Sequence, residues 1–381
     1  MKFNKLLVVI HYGSNIGYAI ATLERVFYQM AKQFAENESG IHFAYKNFDN
    51  GPPETLPTDF KNIIKFDAKD GSTENLNFIS RYISENAIQL VFGFDFPVAL
   101  PTYSAMRKAG AKKIVSYYGA SMSGINSGIK LLLKRLEVFL KPHKPDLFIF
   151  ESKAMRNTAV DGRGINKKNT AIIRLGVDTN RFKPNPESLY AYETFNIPHN
   201  RKIVFYSGHM QTRKGVYVIV KAAAELINQR NRKDIHFLLV GNKIGEEKQF
   251  DEYYTNTPAE DYITFGGYRN DIPDILPSCY VGTIASTGWD SFTMSSIEMA
   301  STGLPLIVSR LQGLVETIEE GKTGFLFDPG DHNALADKIE YFIDNPSIRN
   351  EFSSQARKRT EMEFSKETQL QNLVSALNGL E

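Results

Sequence analysis

The sequence predicts an α/β fold made of two parallel-sheet domains, and three observations carry that expectation. Short apolar runs alternate with helical patterns along the chain, which is how a parallel sheet with helices on both faces is built. A polar, proline-bearing stretch from Lys183-Pro184-Asn185-Pro186 to Pro198 divides two such series. The 381 residues, 42% of them hydrophobic, are enough for two cores at roughly 150 residues per domain.

In the first series Leu6–Ile10, Leu90–Phe92, Lys113–Ser116 and Leu147–Phe150 read as strands, and Thr22–Phe34 has the apolar spacing of a helix. The second series places strands at Ile203–Tyr206, Ile235–Val240, Tyr262–Phe265, Val281–Ala285 and Leu306–Ser309, each followed by a loop and a helical pattern. Both halves therefore read as Rossmann-like domains, over 1–183 and 184–364. The last segment, 365–381, carries Leu370, Leu373, Val374 and Leu377 at helical spacing. In open parallel sheets ligands sit at the carboxyl ends of strands, so two such domains facing each other would share a site in the cleft between them.

Composition narrows the function. Lys and Arg total 45 against 43 for Asp and Glu, so no charge excess draws the chain to nucleic acid. The single cysteine, Cys279, excludes an intrachain disulfide and a multi-cysteine metal site, and fits a reducing cytoplasm. The histidines show no ligand spacing, so no structural metal is expected. Leu6–Ile10 is too short for a signal h-region, and no run approaches the roughly 18 apolar residues of a membrane span, which predicts a soluble or peripheral protein. Ile129, Leu132, Leu133, Leu136, Phe139 and Leu140 share one helical face, with Lys130, Lys134, Arg135 and Lys141 outside it. A core-packed helix with a solvated basic face is the first reading of 129–141, and peripheral contact with an anionic membrane at the inner face of the cell is the second.

The most informative segment is 288–305, which opens Gly288-Trp289-Asp290-Ser291-Phe292-Thr293-Met294 and closes Gly303-Leu304-Pro305. Asp290 reads as a helix N-cap, and first-turn N–H groups behind it favour a phosphate. Glu298, eight residues on, is about 800° round the helix, so both carboxylates would address one broad face and accept hydrogen bonds from sugar and ribose hydroxyls. Upstream, Gly208-His209-Met210-Gln211-Thr212-Arg213-Lys214-Gly215 follows a strand and opens a helix. Its two fixed cations are placed to stabilise charge on a departing diphosphate. In the first half, Gly13-Ser14-Asn15-Ile16-Gly17 follows the first strand without the spacing of a dinucleotide site, which disfavours an NAD-dependent dehydrogenase. Asp95, after another strand, fits a helix N-cap and also stands where an acceptor contact would fall. Tyr118 ends a strand and reads as a partly buried wall residue that can hydrogen-bond.

With these motifs in place the sequence resembles the retaining glycosyltransferases of glycosyltransferase family four, which have the GT-B fold. The resemblance covers most of residues 200–330: two acidic residues separated by seven, a small-residue helix, then Gly-x-Pro and a strand. It implies that Asp290 contacts the transferred sugar and Glu298 the ribose, with Ser291 and the backbone amides of Phe292, Thr293 and Met294 around sugar and phosphate. Lys214 corresponds to the family's lysine and His209 stands where the family has Arg, while Arg213 offers a second cation. Gly13 and Ser14 lie in the loop that closes on donor phosphate, and Tyr268 joins the donor set by the same likeness. Asn15, Tyr118 and Asp95 fall on the acceptor side, Tyr118 where many relatives carry His. Leu175-Gly176-Val177-Asp178 matches a family element of structural role, and relatives send the C-terminal helix back to the N-terminal domain. The implied activity is metal-independent transfer from a nucleoside diphosphate sugar, with UDP-sugars favoured by family frequency, to a glycan, lipid-linked or small-molecule acceptor. A sugar-nucleotide-binding homologue without transfer activity is the alternative, prompted by His209 and Asp290.

Overall fold

The computed structural model describes residues 3–380, which form two compact units. One runs to Arg174 and takes in the chain again from Gln369, and the other is Leu175–Thr368.

The first unit is built on seven parallel strands: β1 (Leu6–Ile10), β2 (Ile41–Tyr45), β3 (Ile63–Lys65), β4 (Leu90–Phe94), β5 (Lys113–Tyr118), β6 (Leu147–Phe150) and β7 (Thr170–Ile172). Their order is β3-β2-β1-β4-β5-β6-β7. The strands β1, β2, β4 and β6 are buried along their whole length, as expected where helices cover both faces of a parallel sheet. Helices α1 (Tyr18–Phe34), α2 (Thr73–Glu85), α3 (Thr102–Lys108), α4 (Gly128–Leu140) and α5 (Lys153–Asn157) make the crossovers. Strands β2, β3 and β7 are absent from the sequence reading. The three-residue β3 and β7 are only partly buried, and β2 is interrupted by His42. That imidazole is tolerated because Nδ1 lies 2.7 Å from the Tyr82 hydroxyl, and burial pushes its pKa down to about 4, so it is neutral.

Helix α4 corrects the first reading of 129–141. At about 100° per residue Val138 stands opposite Ile129, and Val138 is the buried residue of this helix. The helix is fastened by its polar flank: Arg163 donates to both oxygens of Glu137, at 2.7 and 3.0 Å, and Lys134 approaches Glu137 at 3.1 Å. The six-residue apolar face thus points away from the unit's core instead of into it.

The second unit has six parallel strands, β8 (Lys202–Ser207), β9 (Ile235–Val240), β10 (Ile263–Phe265), β11 (Val281–Ile284), β12 (Leu306–Ser309) and β13 (Gly324–Phe327), in the order β10-β9-β8-β11-β12-β13. Around them lie α6 (Tyr190–Phe195), α7 (Val216–Ala224), α8 (Ile272–Ile275), α9 (Met294–Ser301), α10 (His332–Asp344) and α11 (Pro346–Glu363). Both sheets reverse direction after their third strand in spatial order, and the crevice beside that switch point, at the carboxyl ends of the strands, is where open α/β sheets bind ligands. In this unit the switch falls between β8 and β11; in the first it falls between β1 and β4.

The two chain segments at the edge of the second unit run side by side. Val177 N donates to Phe364 O at 2.8 Å and Lys366 N to Val177 O at 3.0 Å, and Lys366 pairs with Asp178 at 2.7 Å. A Cβ on Gly176 would lie 2.7 Å from Lys366 Cα, so this approach requires glycine. Arg357 of α11 donates to the carbonyls of Thr179, Phe182 and Ser301, holding the incoming chain against the end of α9. The last helix, α12 (Lys366–Asn378), begins here and from Gln369 onward belongs to the first unit. There Leu373 and Leu377 are fully buried, and Gln369 Nε2 reaches the Tyr117 hydroxyl at 3.5 Å. Truncating Leu373 to Ala should therefore cost the first unit about 2–5 kcal/mol. The only tryptophan, Trp289, lies in the second unit, so its fluorescence reports that unit alone. In urea the L373A transition followed by circular dichroism should gain an early phase, while the Trp289 transition stays in place; coincident displacement of both would contradict this assignment.

Candidate active site

The loops that leave β8 and β11 at the switch point are locked together. After β8 the chain makes a short helical turn over Thr212–Lys214 and enters a left-handed conformation at Gly215, φ 67°. A Cβ there would lie 1.8 Å from the carbonyl oxygen of Ala285, just past β11, so only glycine permits the approach. The β11 loop answers with two backbone bonds, from Thr287 N and Gly288 N to Arg213 O at 2.8 and 3.1 Å.

This pinch brings Lys214 to Asp290. The ammonium lies 2.7 Å from Oδ2 of Asp290, and the side chains are 16% and 8% exposed, so the pair is largely withdrawn from water. Ser286 Oγ donates to the same oxygen at 2.6 Å, and Ser291 N donates to Oδ1 at 3.1 Å. The backbone N–H of Asp290 points to Gln312 Oε1 at 3.4 Å. Arg213 lies at the exposed edge, donating to Gln211 Oε1 and to Trp289 O, both at 3.1 Å. His209 is exposed; its carbonyl accepts from the buried Tyr206 hydroxyl at 2.9 Å. Burial, and secondarily the Asp290 charge, keep that phenol protonated.

The helical reading of Asp290 needs correction. Helix α9 starts at Met294 behind Thr293, so Asp290 lies in the preceding loop and the 800° relation to Glu298 does not hold. The physical reason is that both Asp290 oxygens are already engaged by Lys214, Ser286 and Ser291. Thr293 takes the N-cap position, its hydroxyl 2.6 Å from Ser296 Oγ. Phe292 is buried edge-on against Phe364, with ring centroids 5.0 Å apart, and Glu298 is buried within α9. Tyr268 is exposed beyond the edge strand β10, two strands away from β8.

In the first unit the equivalent loops carry a second polar cluster. The β1 loop is pinned to the 47–54 segment. Ser14 is buried and donates to Gly51 O at 2.5 Å, Gly13 abuts the Asn47 side chain, and Asn15 donates to Pro52 O at 2.8 Å while accepting from Glu54 N at 3.0 Å. Asp95 is not the N-cap read from the sequence: α3 begins only at Thr102, behind Pro101. Instead Asp95 adopts φ 54° directly after β4. It accepts from Gly119 N at 2.7 Å and from the Tyr12 hydroxyl at 3.3 Å. Burial pushes its carboxyl up to about 6 against those stabilising bonds, which leaves it able to exchange a proton near neutrality. Tyr118, beside Phe150, is raised by burial and then by the Asp95 charge, so it is a hydrogen-bonding phenol and not a base. His11 sits buried with Nδ1 at 2.7 Å from Phe94 O, its pKa lowered by burial.

Residues 192–359 match the family model described as "Glycosyl transferases group 1". That segment is similar to a group 1 glycosyl transferase domain. Both motifs that resemble family four, 208–215 and 288–305, fall inside the matched segment. The D-inositol 3-phosphate glycosyltransferase of Corynebacterium urealyticum is 26% identical over 212 residues, 54% of this chain and 50% of that protein. The chain thus spans about half the length of this relative. Among solved structures, a glycosyltransferase from Rickettsia africae superposes with a TM-score of 0.80 at 18% identity, covering 98% of this chain and 97% of its own. Anabaena HepE, solved in complex with UDP, superposes with 0.77 at 20% identity, covering 98% and 100%. These likenesses establish the fold, two Rossmann-like α/β domains of the GT-B type.

In the matched segment the structure joins Lys214, Arg213, Asp290 and Ser291 in one network and leaves Tyr268 and the His209 side chain outside it. Sequence reasoning missed Ser286, whose hydroxyl braces Asp290. It also missed Glu151 in the first unit, although an acid directly after the apolar run Leu147–Phe150 was a readable signal. Glu151 is buried; burial, reinforced by Asp95, pushes it up to about 8 while the Tyr117 hydroxyl opposes. A carboxyl that holds its proton more tightly when folded contributes its full stability at low pH and loses it as pH climbs through the folded pKa. For Glu151 the window runs from 4.5 to about 8, and Asp95 adds the same sign from 3.8 to about 6. The urea midpoint of the first unit should fall between these limits, and E151Q should flatten the upper part of that slope; an unchanged slope would mean that Glu151 is ionised in the folded state.

Proposed function

We propose that the chain is a retaining glycosyltransferase that moves a hexose from a nucleoside diphosphate sugar, UDP-sugars first, to a glycan, lipid-linked or small-molecule acceptor. The observation that carries this reading is the largely dehydrated Lys214–Asp290 pair held at the switch point by Gly215 and Ala285. A cation so placed is preorganised for negative charge that grows as a diphosphate departs. The HepE structures with UDP and with UDP-glucose support the choice of base.

In the proposed reaction the bond between the anomeric carbon and the diphosphate oxygen breaks. Lys214, Arg213 and the amides at the start of α9 take up the developing charge, in place of an essential metal ion. An acceptor hydroxyl attacks the same face of the sugar, its proton passing to the departing phosphate oxygen, so the nucleoside diphosphate and the new glycoside form with retained configuration. Asp290 orients sugar hydroxyls and Glu298 the ribose. Asp95 and Tyr118 accept and donate hydrogen bonds to the acceptor, and Gly13, Ser14 and Asn15 shape the loop beside it.

Because the charge on the diphosphate is larger in the transition state than in the bound donor, Lys214→Ala should lower turnover by about 10²–10³-fold with a much smaller change in UDP affinity. Calorimetry with UDP alongside UDP release from UDP-sugars reads both, and equal turnover would remove Lys214 from this role. Glu298→Gln should instead weaken UDP binding itself, by about tenfold or more, since a hydrogen bond to a charged group is worth about 1.5–3 kcal/mol. Unchanged UDP affinity would reject the ribose assignment. UDP binding without UDP release across donors and acceptors would favour a protein that binds sugar nucleotides without transferring them.

A further inference from the structure

Among the described residues the apolar face of α4 is left largely exposed. Ile129, Leu132, Leu133, Leu136, Phe139 and Leu140 are between 51% and 78% exposed, and Ile125 just before the helix is 63% exposed. On the helical wheel these six residues fill an arc of about 120° centred opposite the buried Val138. Single exposed apolar residues on a surface call for no explanation, whereas a contiguous stripe of this size marks an interaction site.

The surroundings indicate what covers it. Lys130 borders the stripe on one edge and Arg135 on the other, with Lys141 at its end, so an exposed apolar strip is flanked by long cationic side chains. The acidic residue of the helix, Glu137, is neutralised by Arg163 and Lys134. On the Arg135 side, a groove of about 850 Å³ separates α4 from the segment before β7. Its floor includes Phe148 and Ile165, its wall includes Phe139, and Arg135, Lys144 and Lys167 face it against the carboxylate of Asp161.

We propose that α4 lies in the headgroup region of an anionic lipid bilayer, with its apolar stripe inserted and its flanking cations on lipid phosphates, and that the adjoining groove accommodates an acyl chain. A second copy of the chain fits the stripe less well, because a two-fold contact would bring the Lys130, Arg135 and Lys141 sets of both copies together across an apolar seam. The proposal is independent of the transfer activity, since every residue it uses belongs to the first unit and the Lys214–Asp290 network belongs to the second.

The test is flotation of the full chain with vesicles of phosphatidylcholine containing or lacking phosphatidylglycerol. The wild type should float with the anionic vesicles and lose about tenfold or more of its binding in high salt. The double variant Leu132→Ser/Phe139→Ser, which leaves charge unchanged, and the double variant Lys130→Glu/Arg135→Glu should each lose about tenfold or more while keeping the thermal midpoint and UDP affinity of the wild type, because these side chains are exposed. Absence of wild-type binding to anionic vesicles at low salt would overturn the proposal. So would undiminished binding by Leu132→Ser/Phe139→Ser, or a sedimentation dimer abolished by that variant in a protein that ignores vesicles.

Discussion

In a parallel sheet every connection has to return from the carboxyl end of one strand to the amino end of the next, and right-handed crossovers allow a chain that starts in the middle to build outward in only one sense at a time. A sheet covered on both faces therefore reverses once, and the two strands at the reversal send their loops to opposite sides. Both units obey this constraint. The opening it leaves beside β8 and β11 holds the Lys214–Asp290 network, and the corresponding opening beside β1 and β4 holds Tyr12 and Asp95.

Geometry at the β8–β11 opening is set by backbone proximity before any charge is considered. Gly215 lies under the Ala285 carbonyl, and the amides of Thr287 and Gly288 close on Arg213 O. Lys214 and Asp290 are carried into contact by that pinch. A dehydrated ion pair is expensive unless its remaining hydrogen-bonding capacity is met, and Ser286 and Ser291 meet it for the carboxylate. The same bracing suits the proposed chemistry: when Lys214 turns toward a diphosphate, Asp290 keeps two donors and is not left unpaired in a poorly solvated site.

The first unit solves a different electrostatic problem. Asp95 and Glu151 are two carboxyls withdrawn from water among aromatic rings, and burial raises both. With Glu151 held protonated around neutrality, the cluster carries less charge than its composition suggests, and Asp95, bonded to Gly119 N and Tyr12, is the group left to ionise. Helix α4 shows the converse on the outer surface. There an ion pair, Glu137–Arg163, decides which side of an amphipathic helix is docked, and the apolar side is the one turned outward.

The α/β class, the central strands of both sheets and the two loops after β8 and β11 were determined by the sequence alone, because long apolar runs, glycine stops and clustered cations are local signals. Lys214, Asp290 and Arg213 were legible for that reason. Short edge strands such as β3 and β7 were not, since half-exposed three-residue runs carry little periodicity. Tertiary structure alone decided that Asp290 sits in a loop facing Lys214 and does not cap α9, that Asp95 binds Gly119 and Tyr12 instead of capping α3, and that Glu151 is buried beside them. It alone decided the orientation of α4 as well. Periodicity defines two faces of a helix but not which one meets the body; that depends on Arg163 and Val138 arriving together, a choice made by contacts between residues distant in the chain.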